Sequence, residues 1–528
     1  MHAVALRQAA PCARCTARID TVRRTETTLP NPPQPRRTGL KPMTIRALHV
    51  ASELYPLLKT GGLADVAGAL PPALIELGAD VRVLLPGFPA VVAGLSDLQP
   101  VARIGDRFGA SNVTLERGTL SANGLVVYVI RAQTLYDRNG NPYLDAEHVP
   151  YGDNAQRFAM LGWTAAQIAQ HLDPAWAPQI VHAHDWHAGL APAYLKAAER
   201  ERGKPVARTV FTVHNLAYQG VFPSHQFGQL GLPADFFNMS GVEFYGQMSF
   251  LKAGLFYSDR ITTVSPTYAR EIQTLSQGGG LDGLLSQRSH DLSGILNGVD
   301  YTIWQPTTDP LIAAHYTDTR LAGKRACKTA LQERFHLAQK SDALLFGVVS
   351  RLTEQKGLDL LLAALPEIIK RGGQLVVFGT GDPALENGLQ LVAQAHPESV
   401  AVELGFDETL AHQIVAGSDV IAVPSRFEPC GLTQLYALAY GSLPLVHRVG
   451  GLADTVVDAS LENIADDLAT GFVFERFEPE ALTAAIRRAF ALFARRTDWK
   501  AAQRRAMRQD FGWGASAERY LALYRELV

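Results

Sequence analysis

The sequence contains few cysteines and no excess of either charge. Four cysteines among 528 residues are too few for a disulfide framework, so we expect a reducing compartment, the cytoplasm. A formal net charge of −2 gives no reason to expect nucleic acid or an anionic membrane surface as a partner. No apolar run approaches the ~18 residues that a membrane-spanning helix needs. The length suits two to three domains with large cores.

Residues 1–42 contain few acids, no Ser and no long apolar block. The missing apolar block argues against a secretory signal, whereas the Arg-rich, acid-poor composition leaves a transit peptide open. Cys12 and Cys15 have C-x-x-C spacing, but no second ligand pair lies nearby, so we predict no metal site there. We expect a disordered N-terminal extension; a misassigned start is the other interpretation.

The chain has no Walker A sequence. Gly278–Gly283 spells the dinucleotide fingerprint, but it follows a helix-like stretch instead of a strand, so we predict a flexible turn.

From Met43 onward, short apolar runs alternate with helical stretches, which predicts a parallel sheet with helices on both faces. Residues 101–120 indicate an inserted β-rich segment, and residues 220–246 indicate a long functional loop. The predicted strands cover residues 45–51, 79–85, 125–130, 180–184, 209–213 and 260–264. The predicted helices cover residues 63–77, 154–171, 189–200 and 268–276.

A second series of the same kind begins near Ser293. Its strands are predicted at residues 344–349, 374–378, 400–405, 420–423 and 443–446. Its helices are predicted at residues 357–371, 409–418 and 432–439, and an amphipathic helix is predicted at residues 514–527. Gly450–Asp454 repeats the sequence of Gly61–Asp65, which suggests two halves built alike.

The loop Lys59–Asp65 joins the first strand to a helix that Pro71 and Pro72 should kink or interrupt. Ligands of open α/β sheets bind at the carboxyl ends of the strands. The glycine pair Gly61 and Gly62 lets backbone N–H groups approach an anion, and the helix N-terminus adds partial positive charge. With Lys59, the loop suggests a phosphorylated or acidic ligand; the alternative is a tight turn with an exposed lysine.

Two further strand ends carry residues suited to a phosphorylated ligand. Arg351 and Lys356 follow the strand at 344–349, where two cations suit a diphosphate, although ordinary surface charge is the alternative. Gly431 and Thr433 can donate to phosphate at a predicted helix start, with the carboxylate of Glu428 beside them. Cys430 has no His partner in sequence, so we interpret it as a small buried residue.

Histidines cluster at the end of the strand at residues 180–184. His182, His184, Asp185 and His187 suggest a metal site. Only His182 and His184 share one face of the strand, however, and the sequence does not identify a third ligand. His214 ends the next strand, where a lone histidine is usually structural.

Seven segments together carry a resemblance to a known family. They are Lys59–Leu63, Val181–His187, Thr212–Asn215, Val264–Pro266, Leu296–Asp300, Ser350–Gly357 and Glu428–Leu432. In this order they resemble the motifs of bacterial glycogen synthases and plant starch synthases, from about Met43 to the C-terminus. The resemblance implies a retaining glucosyltransferase that uses ADP-glucose and an α-1,4-glucan (glycogen) acceptor, without cofactor or metal.

The fold that the resemblance implies is α/β with the GT-B architecture, in which two doubly wound Rossmann-like domains face each other across a cleft. Residues 43–292 would form the N-terminal, acceptor-side domain and residues 293–510 the nucleotide-sugar-binding domain. Residues 511–528 would form a helix that crosses back onto the first domain.

The resemblance also implies roles for individual residues. Arg351 and Lys356 would bind the ADP diphosphate, and Glu428 would bind sugar hydroxyls or face a cationic sugar. Asp185 would act on the acceptor or transition-state side, and His214 would contact glucose. The donor or sugar site would include Lys59, Gly61, Gly62, Asp65, Tyr143, Asn297, Cys430, Gly431, Leu432 and Thr433.

Three other functions are open to the sequence. A related retaining transferase would use another nucleotide sugar or a small acceptor. A glucan phosphorylase would need a lysine that binds pyridoxal phosphate, for which no motif is present. A non-catalytic glucan-binding protein would lose some of Lys59, Arg351, Lys356 and Glu428, but all four are present. The sequence predicts no oligomeric state.

Overall fold

The computed structural model describes residues 44–528. The predicted N-terminal extension, with Cys12 and Cys15, lies outside the described residues. Among the residues described, no helix is both long and apolar enough to cross a membrane.

The first half of the fold is built on a nine-stranded sheet in the order β12-β11-β7-β6-β1-β2-β5-β4-β3. Its strands and those of a small second sheet are β1 (Arg46–Val50), β2 (Asp80–Pro86), β3 (Leu95–Arg107), β4 (Ala110–Leu120), β5 (Val126–Arg131), β6 (Ile180–His184), β7 (Arg208–Val213), β8 (Val221–Pro223), β9 (Glu243–Phe244), β10 (Gln247–Ser249), β11 (Arg260–Thr263) and β12 (Leu292–Gly294). The strands from β12 to β5 are parallel, which confirms the predicted parallel sheet.

The helices of this half follow the strands in alternation. They are α1 (Gly62–Glu76), α2 (Pro89–Ala93), α3 (Gln133–Tyr136), α4 (Asn154–Ala169), α5 (Asp185–Ala188), α6 (Leu190–Arg202), α7 (Phe250–Tyr257), α8 (Pro266–Glu271) and α9 (Asp282–Gln287). The predicted interruption of α1 is wrong, because the helix runs through Pro71 and Pro72. Its buried face packs against β2 and the C-terminal helix, and this packing offsets the local cost of the prolines.

Two inserted segments differ from the predicted alternation. The β-rich insertion is the antiparallel hairpin β3–β4, which extends the first sheet at its edge. The predicted loop at residues 220–246 is more ordered than expected: it holds two short 3-10 helices, and its strands β8 and β9 each pair with the following strand β10 in the antiparallel sheet β8-β10-β9. Its strands are only two or three residues long, too short to show an alternating pattern in the sequence.

The second half contains an entirely parallel six-stranded sheet in the order β15-β14-β13-β16-β17-β18. Its strands are β13 (Leu345–Val349), β14 (Gln374–Gly379), β15 (Val400–Leu404), β16 (Val420–Val423), β17 (Leu443–His447) and β18 (Phe472–Phe474). Its helices are α10 (Ala322–Arg334), α11 (Leu358–Lys370), α12 (Pro383–Ala395), α13 (Glu408–Gly417), α14 (Thr433–Ala439), α15 (Gly450–Thr455), α16 (Leu461–Ala465), α17 (Pro479–Ala494) and α18 (Arg496–Met507).

The last helix, α19 (Trp513–Leu527), packs on the first half of the fold. Its residues Trp513, Tyr520 and Tyr524 share an apolar cluster with Ile45, which precedes β1, and with Leu70 of α1. The fold is α/β with one mainly parallel and one entirely parallel sheet, as the resemblance implies.

The repeated Gly-Gly-Leu-Ala-Asp sequence has the same place in both halves. In the first half it starts α1 after β1, and in the second half it forms most of α15 after β17. Each copy therefore follows the carboxyl end of a parallel strand.

Candidate active site

The carboxyl ends of the two parallel sheets meet, and several contacts join them. A Cβ built on Gly62 would lie 3.5 Å from a methyl carbon of Leu432 in the other half. The carboxylate of Asp454, in the second glycine repeat, accepts hydrogen bonds from Ser265 and Thr267 at the start of α8. The polar residues that end the strands of both sheets therefore line one shared region.

The first loop is organised around a buried carboxylate, Glu53. The hydroxyl of Thr60 donates to Glu53 at 2.6 Å, and the backbone N–H of Gly61 donates to it at 3.2 Å. The hydroxyl of Tyr143 also donates to Glu53. The expectation that this loop offers both glycine N–H groups to an external anion is therefore met only in part: Glu53 occupies the N–H of Gly61, whereas the N–H of Gly62 has no acceptor among the described residues.

Lys59 of the same loop bridges the two halves. Its ammonium lies 3.0 Å from Asp65 at the start of α1 and 3.4 Å from Glu408 of α13. Burial by itself would lower the pKa of Lys59, but the two carboxylates outweigh burial and raise it. Lys59 is thus a charged, partly buried group, not the exposed lysine of the alternative interpretation.

Asp185 follows β6 directly and has an unusual backbone. Its φ is +56°, a left-handed conformation that non-glycine residues adopt mainly where surrounding structure enforces it. One carboxylate oxygen accepts the backbone N–H of His214 at 2.7 Å and that of Asn215 at 3.3 Å. Burial raises the pKa of Asp185 to about 7, against the lowering effect of these two bonds.

His214 connects this carboxylate to a cluster of histidines. Its Nε2 lies 3.0 Å from Nδ1 of His184, whereas the described residues offer no hydrogen-bond partner to its Nδ1. Burial lowers the pKa of His214 to about 3, so the ring is neutral.

The histidines that approach one another differ from the set considered for a metal. His49, His182 and His184 are the three that come together, with ligand atoms within 4.8 Å of one another. All six of their ring nitrogens have hydrogen-bond partners. His187 lies apart, with its ring stacked on Tyr143 at 4.6 Å. The geometry thus indicates a hydrogen-bonded cluster.

On the opposite sheet, Glu428 is held by two groups through one oxygen. The ammonium of Lys356 lies 2.6 Å from Oε2, and the hydroxyl of Ser425 donates to the same atom at 2.8 Å. Of the two cations that follow β13, Lys356 is therefore already paired with a carboxylate. These groups line a pocket with Gly431 and Thr433.

The segment Gly431–Thr433 presents unoccupied backbone donors. Among the described residues, none of its three backbone N–H groups has an acceptor. Gly431 has φ +72°, and a Cβ there would lie 2.3 Å from the Gln434 side chain, so only glycine fits. The sequence predicts N–H donors at both this segment and the Thr60–Gly61 segment. Only the N–H groups of Gly431–Thr433 are free to bind a ligand, because Glu53 accepts those of Thr60 and Gly61.

Arg351 is the cation near this pocket that has no acidic partner within the described residues. Its side chain is exposed and donates one hydrogen bond, of 2.9 Å, to the hydroxyl of Tyr218 in the first half of the fold. Its charge is therefore available to a bound anion.

Cys430 and Asn297 meet beside the same segment. Burial raises the pKa of the Cys430 thiol to about 12, against the lowering effect of the Asn297 backbone, so the thiol is inert as a nucleophile. The side-chain oxygen of Asn297 is buried and has no partner among the described residues. A buried acceptor of this kind suits a ligand hydroxyl.

Comparison with known proteins identifies the family. The profile of the starch synthase catalytic domain matches residues 46–287, and that of the glycosyl transferases group 1 matches residues 330–506. Glycogen synthases of Francisella tularensis subsp. novicida (strain U112) and subsp. tularensis (strain SCHU S4 / Schu 4) are each 59% identical over 485 residues, which are 92% of this chain and 99% of theirs.

The chain belongs to the glycogen synthase family.

Solved structures agree with this assignment. The catalytic domain of starch synthase IV from Arabidopsis thaliana, bound to ADP and acarbose, is similar with a TM-score of 0.83 at 31% identity, covering 92% of this chain and 99% of that one. A sucrose-phosphate synthase from Thermosynechococcus elongatus is 20% identical with a TM-score of 0.55 over the same shares, a likeness of fold alone. As a member of the glycogen synthase family, the chain is a hexosyltransferase with GT-B architecture.

Three residues of the candidate active site of this glycogen synthase family member, Glu53, Tyr218 and Glu408, were not predicted from the sequence. Glu53 follows β1 by three residues, and an acid just beyond a buried strand was a signal for it. Tyr218 contacts Arg351, and Glu408 contacts Lys59, each from the other half of the fold. Nothing in the sequence indicates either contact.

Proposed function

We propose that this chain transfers glucose from ADP-glucose to the non-reducing 4-hydroxyl of an α-1,4-glucan, with retention of configuration. The observation that carries the proposal is that two sets of donors follow the neighbouring parallel strands β13 and β16: the Arg351 guanidinium, which has no acidic partner among the described residues, and the unoccupied N–H groups of Gly431–Thr433. Together they form a cradle for a diphosphate at the carboxyl edge of the second sheet. The ADP and acarbose held by the similar starch synthase IV structure agree with such a donor and a glucan acceptor.

The leaving group would be stabilised mainly by these donors. As the glycosidic bond to the diphosphate breaks, negative charge develops on the phosphate oxygen, and preorganised donors stabilise it most in the transition state. Lys356 would contribute while paired with Glu428, so it acts as a shared cation that links the carboxylate and the diphosphate.

Glu428 has the surroundings of an orienting group, not of a nucleophile. Lys356 and Ser425 both hold its Oε2, which leaves the other oxygen for a sugar hydroxyl. An ammonium at 2.6 Å also reduces the nucleophilicity of a carboxylate. We therefore propose attack on the same face as departure, with the leaving phosphate accepting the proton of the acceptor hydroxyl.

The glucosyl unit would lie between the two sheets. Asp185 positions the backbone of His214, whose unpartnered Nδ1 and the buried oxygen of Asn297 would bind sugar hydroxyls. Tyr143 would support this side through Glu53. Lys59, Gly61, Gly62 and Asp65 would position the donor, since their loop contacts Leu432 and Glu408 of the second half. Cys430 and Leu432 would pack beside the donor.

We expect the reaction to need no metal or cofactor, and we expect it in the cytoplasm. The direct test compares ADP-glucose and UDP-glucose at equal concentration with glycogen as acceptor, and follows nucleoside diphosphate release and chain elongation together. We expect elongation by α-linked glucose with ADP-glucose as the better donor. Glucose transfer that favours UDP-glucose would indicate the related transferase instead. Elongation from glucose 1-phosphate alone would indicate a phosphorylase, and glucan binding without turnover would indicate a binding protein.

A further inference from the structure

A continuous chain of hydrogen bonds, which we call the imidazole chain, runs from the first sheet's interior to His214. Six bonds of 2.5 to 3.0 Å connect seven side chains. In order, they belong to Thr262, Thr212, His182, Tyr524, His49, His184 and His214.

The link at the middle of the chain comes from the far end of the sequence. The hydroxyl of Tyr524, on α19, lies 2.6 Å from Nδ1 of His182 and 3.0 Å from Nε2 of His49. All three side chains are fully buried, so water cannot replace the hydroxyl. Without Tyr524, His182 would be disconnected from the three histidines that lead to the cleft.

The imidazoles of the chain are neutral. Burial lowers the pKa of His49 and of His214 to about 3, and it lowers the pKa of His182 and His184 well below the usual value. A neutral imidazole carries one N–H, so one of its ring nitrogens donates and the other accepts. The Tyr524 hydroxyl also has one proton, and it therefore accepts from one histidine and donates to the other.

These constraints couple all four tautomers. If His214 donates from Nε2 to His184, then His184 must donate from Nε2 to His49, and His49 from Nε2 to Tyr524. Tyr524 then donates to Nδ1 of His182, whose own proton lies on Nε2. Reversing one bond reverses every bond and moves every proton to Nδ1. The four histidines are thus all Nε2–H or all Nδ1–H.

We propose that Tyr524 is a positioning residue for the reaction, because its hydroxyl couples the proton position on His214 at the cleft to the proton position on buried His182. In one state Nδ1 of His214 accepts a hydrogen bond from a sugar hydroxyl, and in the other it donates one. This inference rests on the proposed function in that His214 contacts the sugar. The helix that closes the sequence thereby acts on the site without touching it.

The test uses Tyr524→Phe, with Tyr520→Phe as the matched control. Tyr520 lies one turn earlier on α19 and is also buried; its hydroxyl faces Thr212 and Thr262, at the end of the imidazole chain farthest from His214, without a hydrogen bond of normal geometry. Both variants lose one hydroxyl from the same helix face. Only Tyr524→Phe breaks the imidazole chain.

The first measurement is the tautomeric state of the four histidines, from nitrogen chemical shifts of the full-length, ligand-free enzyme labelled with ¹⁵N-histidine. We expect one shared tautomer in the wild type and in Tyr520→Phe. In Tyr524→Phe we expect His182 to titrate or exchange tautomers independently of the others. Mixed tautomers in the wild type would overturn the inference, and this result needs neither a variant nor activity.

The second measurement is steady-state kinetics with ADP-glucose and glycogen. Loss of an outer-shell partner of a metal-ligating histidine costs roughly tenfold to hundredfold in activity, and by analogy we expect a fall of this size in kcat for Tyr524→Phe, with KM near the wild-type value. Tyr520→Phe should retain wild-type kcat. The positioning role would be overturned if Tyr524→Phe kept the wild-type kcat, or if Tyr520→Phe lost as much kcat as Tyr524→Phe. If the wild type is inactive, the proposed function fails, and the tautomer measurement still decides whether the chain is coupled.

Discussion

The ammonium of Lys356 lies 2.6 Å from Oε2 of Glu428. Only 18% of the Lys356 side chain and 7% of the Glu428 side chain are exposed. Each charge is therefore compensated by the other and little by water, and a change at one residue leaves the other poorly compensated.

Lys356→Met should lower both stability and activity. We expect a loss of roughly 2–3 kcal/mol in the free energy of unfolding, less than for a fully buried pair because Lys356 keeps some solvent contact. Adding Glu428→Gln should recover most of the stability without restoring kcat. Chemical denaturation of both variants and the wild type measures this, and a Lys356→Met protein as stable as the wild type would contradict it.

Arg351→Ala should lower activity while leaving the fold intact. The exposed guanidinium contacts only Tyr218, so the melting temperature should not change. Loss of one donor to the leaving group should cost about 2–4 kcal/mol of transition-state stabilisation, measured as the ratio of kcat/KM values. The control is Arg371→Ala, which removes an exposed arginine paired with Glu367. Full activity in Arg351→Ala would remove this residue from the site.

Glu428→Ala should lose several orders of magnitude in kcat, and azide should not restore turnover. A small anion restores activity when the missing carboxylate was a nucleophile, because the anion attacks the open face of the sugar. Held by Lys356 and Ser425, Glu428 is expected to orient the donor instead. Formation of β-glucosyl azide, detected by NMR or mass spectrometry, would falsify this and support a double displacement.

Lys59→Ala should raise KM for ADP-glucose and leave KM for glycogen near the wild-type value. The loop lies against Leu432 beside the proposed diphosphate cradle. The control is Glu408→Gln, which weakens the contact across the cleft but retains the Lys59 charge. A rise in the glycogen KM alone would place the loop in the acceptor groove.

Asp185→Asn should change how stability depends on pH. Burial raises the pKa of the folded-state carboxyl from 3.8 to about 7, so Asp185 favours the folded state at low pH, and this contribution is lost as pH rises through 7. An asparagine keeps the acceptor oxygen and tolerates the positive φ. The variant should match the wild type near pH 4 and exceed it at pH 8 by roughly 4 kcal/mol at most.

Denaturation midpoints at both pH values test this last prediction. A constant difference between Asp185→Asn and the wild type across the range would show that folding does not raise the pKa of Asp185.

The sequence predicted most of the parallel strands and eight of the nineteen helices in the described residues, because the apolar patterns of these elements are regular. It also predicted that Asp185, His214, Arg351 and Glu428 follow strand ends, which is where the structure has them. The short strands β8, β9, β10, β12 and β18 were not predicted, because two or three residues carry no period.

Pairing between distant side chains could not be predicted in the same way. The sequence shows that Lys356 and Glu428 are charged, but not that one neutralises the other. Similarly, the glycines at 61 and 431 look alike, and only tertiary structure brings Glu53 to the first of them. The histidine cluster resembled a metal site because the sequence does not reveal that a tyrosine 342 residues away hydrogen-bonds to His182.

The position of α19 has a consequence for the order of synthesis and folding. The first half of the chain leaves the ribosome early, yet part of its apolar surface is covered only by residues 513–527. During translation, α19 cannot cover this surface, or contact His49 and His182, until residues 513–527 have been synthesised. Domains usually fold as they emerge, N-terminal first. Here the half of the fold that is made first is completed only after residues 513–527 have been made.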